Sequence, residues 1–266
     1  HQGQCMYIAD QYAHRIIQWK LGESQGQIIA GENGEGNKID QLKSPTDVTI
    51  DQNKKSLIIC DRNNRRIVRW SLENPDDRQI IISNIKCYGL MMNDNGDLFV
   101  CDEEKHEVKK WRKGEIEGTI VAGGHGKGDQ LNQLNTPRFL FVDRQDTVYV
   151  SDELNHRVMK WIKNTNEGIV VAGGRGEGNC LNQLSHPFGL IVNEIGDLYV
   201  ADRGNHRVMC WPSGSNEGRI VVGGTRPGAA SNQLHSLTCL TFDVENNLYV
   251  VDQHNNRIQR FEVERN

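Results

Sequence analysis

Short apolar runs rich in β-branched residues alternate along the whole chain with clusters of Gly, Asn, Asp and Ser. Such runs between turn residues predict β-strands. In the best-formed segment they cover residues 189–192, 198–201, 207–211 and 219–222, which we label strands a to d. Strand a is nearly continuously apolar, so we expect both of its faces to be buried. Strand c alternates between apolar and polar residues, as in Arg15-Ile16-Ile17-Gln18-Trp19, so we expect it to lie nearer the solvent.

A strand that ends in Asp recurs six times along the chain. The six residues are Asp10, Asp61, Asp102, Asp152, Asp202 and Asp252. An aromatic residue follows each Asp nine positions later, and all five tryptophans of the chain occupy this position. Regular repeats that each carry four short strands are typical of β-propeller blades. We therefore predict a single domain over residues 1–266, an all-β, six-bladed β-propeller with four-stranded antiparallel blades.

The first and last repeats are each short of one strand. The first Asp-ended strand has no strand a before it, and the last repeat stops after strand c near Phe261. We therefore expect incomplete first and last blades that meet directly in an imperfectly closed ring. Because unpaired strand edges favour pairing with another chain, we also expect self-association through these terminal blades.

The turn after the Asp-ended strand carries a recognisable motif. Asn155-His156-Arg157-Val158 and Asn205-His206-Arg207-Val208 resemble the NHL repeat, and variants of this motif stand in the other repeats. The resemblance covers essentially the whole chain and implies a six-bladed propeller. It leaves the function open, because NHL propellers serve as protein-binding platforms, RNA-binding domains, sensor ectodomains and, in a related lyase, as enzymes.

The repeats differ most where strand a begins. Antiparallel order places the d-to-a connector and the b-to-c turn at the same end of each blade, which we call the connector end. The residues entering strand a there change from blade to blade. The predicted ligand-binding residues, at the mouth of the central channel, are Asp47, Tyr88, Arg138, Phe139 and Phe188. Aromatic and cationic side chains are enriched at interaction hot spots, although these residues would equally serve to fill space between loops.

The recurrent acidic and histidine residues favour a structural role. An Asp that accepts hydrogen bonds from turn amides and pairs with the following His or Arg explains all six repeats without a metal ring. The glycine-rich connectors run into strands rather than helices, so we interpret them as turns and not as phosphate-binding loops. The seven cysteines show no metal-ligand spacing; most are expected to be small buried apolar residues, and one disulfide is left open.

Composition narrows the function classes. With a net charge of −4 and scattered charges, a broad positive face that would bind phosphate backbones is not evident, so nucleic acid is a disfavoured partner. No apolar run is long enough for membrane insertion. We predict a non-catalytic scaffold that recognises a protein or peptide through its connector ends and axial mouth, with no catalytic residue, metal or cofactor. One alternative is a metal-dependent lyase or hydrolase resembling propeller enzymes, with only His186 and His235 near the channel entrance. The others are single-stranded RNA binding, in which Arg138 and its aromatic neighbours stack on bases, and a spacer or assembly unit of a longer protein.

Overall fold

The computed structural model describes residues 5–74, 76–224 and 226–263. Within these residues the chain forms strands joined by short turns and connectors. The strands are β1 (Cys5–Asp10), β2 (Arg15–Lys20), β3 (Gln27–Ala30), β4 (Pro45–Ile50), β5 (Ser56–Asp61), β6 (Arg66–Ser71), β7 (Arg78–Ser83), β8 (Cys87–Met92), β9 (Leu98–Asp102), β10 (Glu107–Trp111), β11 (Thr119–Gly123), β12 (Pro137–Val142), β13 (Val148–Asp152), β14 (Arg157–Trp161), β15 (Ile169–Gly173), β16 (Pro187–Val192), β17 (Leu198–Asp202), β18 (Arg207–Trp211), β19 (Arg219–Gly223), β20 (Leu237–Phe242), β21 (Asn247–Asp252) and β22 (Arg257–Glu262).

Consecutive strands pair into six antiparallel sheets, and the fold is a six-bladed β-propeller, as predicted. Blade 1 is β1 to β3, blade 2 is β4 to β7, blade 3 is β8 to β11, blade 4 is β12 to β15, blade 5 is β16 to β19 and blade 6 is β20 to β22. In the described residues blade 1 holds strands b, c and d, and blade 6 holds strands a, b and c. This confirms that the first and last blades have three strands each.

The chain divides into two compact units. The first contains the described residues up to 104 together with residues 108–120, and the second contains residues 105–107 and the described residues from 121 onward. In the first unit, apolar side chains of blades 1 and 2 form a core around Trp70, and those of blades 2 and 3 form another around Trp111. In the second unit, blades 4 and 5 enclose a core around Trp211. The repeated tryptophan therefore packs between blades, which explains why the repeat retains it.

The burial of strand c differs between blades. In blade 1, whose alternating strand c (β2) carried the expectation, most residues are half-buried. In blade 5 every residue of strand c (β18) is buried, whereas strand d (β19) leaves Ile220 42% exposed. The polar residue that begins strand c, Arg207, is 4% exposed because it is held by Asp202. The expectation that strand c lies nearer the solvent is therefore wrong for this blade, since a polar residue here marks a buried ion pair.

Each strand a contains a β-bulge near its first residues. In blade 4 the pairing register shifts between Pro137 and Leu140, and the same shift recurs in blades 2, 3, 5 and 6. In blade 5 the bulge comes close to the next blade, because a Cβ atom placed on Gly189 would lie 2.8 Å from the Cα of Cys239. Bulges redirect side chains and are frequent beside functional sites. The positions that vary between repeats are thus the bulge residues.

Candidate functional site

In four blades the Asp-ended strand anchors a hydrogen-bonded ion pair of the same geometry, which blade 5 illustrates. Asp202 Oδ1 accepts the amide of Ser185 at 2.7 Å, and Oδ2 accepts Asn205 Nδ2 at 2.8 Å and Arg207 Nε at 2.7 Å. The Arg207 Nη atoms donate to carbonyl oxygens of connector residues 179–183. Asp61, Asp152 and Asp252 make the same set of contacts. The predicted structural role is confirmed for these four carboxylates, with Arg as the partner. Asp10 also pairs with Arg15, whereas blade 3 has Glu107 at the Arg position.

The motif histidine makes a separate contact with the following connector. His156 Nδ1 accepts the amide N–H of His186 at 3.2 Å, and His206 Nδ1 accepts that of Ser236 at 3.1 Å. Since Nδ1 acts as the acceptor, the neutral ring carries its proton on Nε2. Burial lowers the pKa of both histidines, with a further contribution from neighbouring imidazoles, so the neutral form is favoured.

One cluster in the second unit has the composition of a metal site. His156, Glu177 and His186 bring ligand atoms within 4.8 Å of one another. His186 Nε2 lies 3.7 Å from Glu177 Oε1, and His156 Nε2 lies 4.0 Å from Oε2. Zinc accepts such ligands, but His156 Nε2 already holds a proton while Nδ1 receives the amide. The cluster therefore fits an imidazole N–H facing a carboxylate better than it fits a metal ion.

In the first unit, the predicted residue Asp47 joins two blades. Its Oδ1 accepts the amide of Val48 and its Oδ2 accepts the amide of Leu90 in blade 3, both at 2.9 Å. Burial raises the pKa of Asp47 to about 7, and these two hydrogen bonds oppose the increase. The side chain nevertheless keeps some accessible surface. Asp47, at the bulge of blade 2, is thus a carboxyl group that gains or loses its proton near neutral pH.

Tyr88, at the bulge of blade 3, lies beside a paired arginine. The ring is buried, with 8% exposure, and the Cζ atom of Arg62 lies 5.4 Å from its centroid. Arg62 Nε and Nη2 donate to Glu103 Oε1 at 2.9 and 2.6 Å. Lys86 Nζ lies 3.4 Å from the same oxygen. The charge of Arg62 is therefore neutralised by a carboxylate that the next blade supplies.

The structure brings the three predicted residues of the second unit together. The ring centroids of Phe139 and Phe188 are 6.4 Å apart, and Arg138 Cζ lies 5.4 Å from the Phe188 centroid. Arg138 also forms an ion pair with Glu153, whose Oε1 atom lies 3.4 Å from His186 Nδ1. Both phenylalanines are buried, at 7% and 4% exposure. The accessible part of this cluster is therefore polar, and a role for these residues in ligand binding stays a prediction.

A second arginine that sequence reasoning missed lies over the same ring. Arg203 Cζ is 4.7 Å from the Phe188 centroid. Its Nε atom is buried without a hydrogen-bond partner, and no carboxylate among the described residues forms an ion pair with it. A sequence signal was present, because the residue after each Asp also changes between repeats. These residues are Gln11, Arg62, Glu103, Glu153, Arg203 and Gln253.

The cysteines of the first unit include one disulfide. Cys60 in strand β5 and Cys87 in strand β8 are bonded and link blades 2 and 3. Both are fully buried. Cys101 and Cys210 are buried thiols, as expected, whereas Cys180 is exposed. The question that the sequence left open is thus answered by the proximity of two strands that are distant in sequence.

Comparison with known proteins extends the fold assignment. No family model matches the sequence, and no curated protein matches it. An auxiliary nutrient binding protein from Bacteroides thetaiotaomicron is similar with a TM-score of 0.76 and 15% identity, over 98% of this chain and 66% of that one. This chain thus spans slightly less than two thirds of that structure.

Among the described residues, no helix has the length and apolar character to cross a membrane.

Two further solved structures share the propeller fold. A chain in a nidogen/laminin complex is similar with a TM-score of 0.70 and 16% identity, over 97% of this chain and 89% of that one. Virginiamycin B lyase from Staphylococcus aureus gives 0.62 and 12% identity, over 99% of this chain and 82% of that one. At these identities the likeness shows the fold alone, which is known to carry unrelated activities.

Proposed function

We propose that this chain is a non-catalytic binding module that recognises a protein or peptide through the connector ends of its blades. We also propose that the chain is an NHL-repeat propeller and that residues 1–266 form a single domain. Binding proteins among the propellers of similar fold are consistent with this proposal. These are the nutrient binding protein and the nidogen/laminin complex.

The observation that carries the proposal is the charged and aromatic cluster of the second unit. Arg138 and Arg203 both lie over Phe188, and Arg203 has no ion-pair partner in the described part of the chain. His186 adds a partly exposed imidazole beside Glu153. Arginine and aromatic groups around a partly desolvated centre are typical of interaction hot spots. The hydrogen-bonded frame beneath keeps these groups in place, as a recognition surface requires.

Selection of peptides from a random dodecapeptide display library tests the proposal. Peptides enriched on the wild-type chain should bind Arg203→Gln and His186→Ser at least ten times more weakly, because each change removes a group of the recognition cluster. Ser236 already occupies the position equivalent to His186, so the second change preserves the fold. Arg144→Gln, at the opposite end of blade 4, is the matched control and should bind normally. Failure to enrich any peptide over an unrelated protein would contradict the proposal.

A metal-dependent lyase or hydrolase is the second candidate, because of the His156, Glu177 and His186 cluster. A lyase with the same fold lends it some support. The hydrogen bond received by His156 Nδ1 argues against it, since zinc coordination through Nε2 requires that bond to break. Titration calorimetry with zinc distinguishes the two. Stoichiometric binding that His186→Ser abolishes would favour the enzyme.

A further inference from the structure

The two units place an arginine at the same repeat position but treat its charge differently. Arg62 follows the Asp of blade 2, and its partner Glu103 follows the Asp of blade 3. Arg203 follows the Asp of blade 5, and the corresponding residue of blade 6 is Gln253. The chain therefore contains an internal example of what this arginine position binds, and the second unit has a neutral amide in place of the carboxylate.

The surroundings of Arg203 increase the need for an anion. Its guanidinium shares the Phe188 ring with that of Arg138, whose charge is already taken by Glu153. The buried Nε atom has no acceptor, and Arg203 as a whole is partly exposed, so a ligand carboxylate that reaches the accessible part of the guanidinium would gain a charge-assisted hydrogen bond. The Phe188 ring holds the guanidinium plane by a cation–π contact. Arg203 is thus held in place and cationic, and its Nε has no acceptor in the part of the chain that the structure describes.

We infer that Arg203 binds a carboxylate of the recognised protein or peptide, in the place that Glu103 takes beside Arg62. This inference rests on the proposed binding function and names the chemistry of its ligand, an acidic side chain or a carboxyl terminus. The internal partner of Arg62 is a carboxylate, which favours that class over phosphate. A planar carboxylate also matches the two-donor edge of a guanidinium.

Nuclear magnetic resonance of the arginine Nε–H groups tests the inference directly on the whole chain. The probes are N-acetyl-Gly-Glu-Gly-amide and the uncharged N-acetyl-Gly-Gln-Gly-amide. The Arg203 signal, assigned by its loss in Arg203→Lys, should shift on titration with the glutamyl peptide and not with the glutaminyl peptide. The Arg62 signal, whose donor is already bonded to Glu103, should not move. Equal shifts with both peptides, or none, would overturn the inference.

Filling the site from within gives a second test. Gln253→Glu introduces the carboxylate that blade 3 has in Glu103, so it should occupy Arg203 and raise the Kd for the glutamyl peptide at least tenfold. Gln11→Glu makes the same charge change at the equivalent position of blade 1 and should leave that Kd unchanged. Unchanged binding in Gln253→Glu would contradict the assignment of Arg203.

The outcomes separate this inference from the proposed function. If peptides are enriched by selection but bind equally well to Gln253→Glu, the proposed binding function stands and the carboxylate site at Arg203 is contradicted. If the Arg203 signal responds to the glutamyl peptide but no peptide is enriched by selection, the carboxylate site stands and the proposed recognition of a protein or peptide is contradicted. Tighter binding of octauridylate than of the glutamyl peptide, lost in Gln253→Glu, would reject the carboxylate and favour RNA.

Discussion

The connector ends of the two units use the same scaffold to opposite effect. In the first unit Arg62 donates two hydrogen bonds to Glu103, so its charge is neutralised within the protein. In the second unit Arg203 lies over Phe188 with a buried Nε that has no acceptor among the described residues. The two units differ at the equivalent position of the following repeat, which is Glu103 in blade 3 and Gln253 in blade 6. A repeat protein can therefore convert a structural ion pair into a candidate binding site by withholding one partner.

The largest effect should come from the buried Asp–Arg ion pairs that both units contain, and the loss of stability should be equal in the two units. Asp61→Asn and Asp202→Asn each place an amide N–H₂ against Arg and Asn donors in a fully buried position. We expect each to lower the free energy of unfolding by about 3–5 kcal/mol. Urea denaturation measures this. In Asp10→Asn the carboxylate–arginine pair is partly exposed, so the loss should be below about 1 kcal/mol. A large difference between the two buried sites would show that the units do not share one frame.

The contrast itself is tested by removing each arginine. Arg62→Gln takes two hydrogen bonds from Glu103, whose side chain is 4% exposed, and should destabilise the protein by about 1–3 kcal/mol. Arg203→Gln removes no ion pair and should change the free energy of unfolding by about 0.5 kcal/mol or less. Denaturant midpoints of both variants in the same buffer provide the measurement. Equal losses would mean that Arg203 is a structural residue like Arg62.

The smallest effect is the pH dependence that Asp47 adds in the first unit. Since the folded pKa of Asp47 is raised to about 7, the unfolded chain loses this proton at lower pH than the folded chain does. The contribution of Asp47 to stability is therefore full in acid and falls as the pH rises from about 4 to about 7. Because water still reaches the carboxylate, we expect a loss of about 1 kcal/mol between pH 5 and pH 8. Asp47→Asn should abolish it.

The titration of the Asp47 carboxyl carbon provides an independent check of that pH effect. Its midpoint should lie near pH 7 in the folded protein. A midpoint near the ordinary aspartate value would show that the bonds from the Val48 and Leu90 amides outweigh burial. The bulge positions of the second unit are Phe139, Gly189 and Cys239 in place of Asp47, so they should contribute no acid-range titration.

The sequence by itself determined the six blades, the strands within them and the structural use of the Asp residues. These follow from local rules, because strand periodicity, turn residues and a repeated Asp-to-Arg spacing act within one blade. It also singled out Asp47, Tyr88, Arg138, Phe139 and Phe188 as one set, of which the structure brings Arg138, Phe139 and Phe188 together in the second unit.

Only the tertiary structure decided which charges are satisfied. Whether Arg62 meets Glu103, whether Arg203 meets an acceptor, and whether Cys60 reaches Cys87 depend on contacts between blades that are far apart in sequence. The same holds for strand c of blade 5. Its polar residue Arg207 is buried because it pairs with Asp202, whereas the sequence pattern alone would place it toward the solvent. Hydrophobic spacing reports which face a side chain takes, whereas the partner that neutralises a charge is set by the packing of neighbouring sheets.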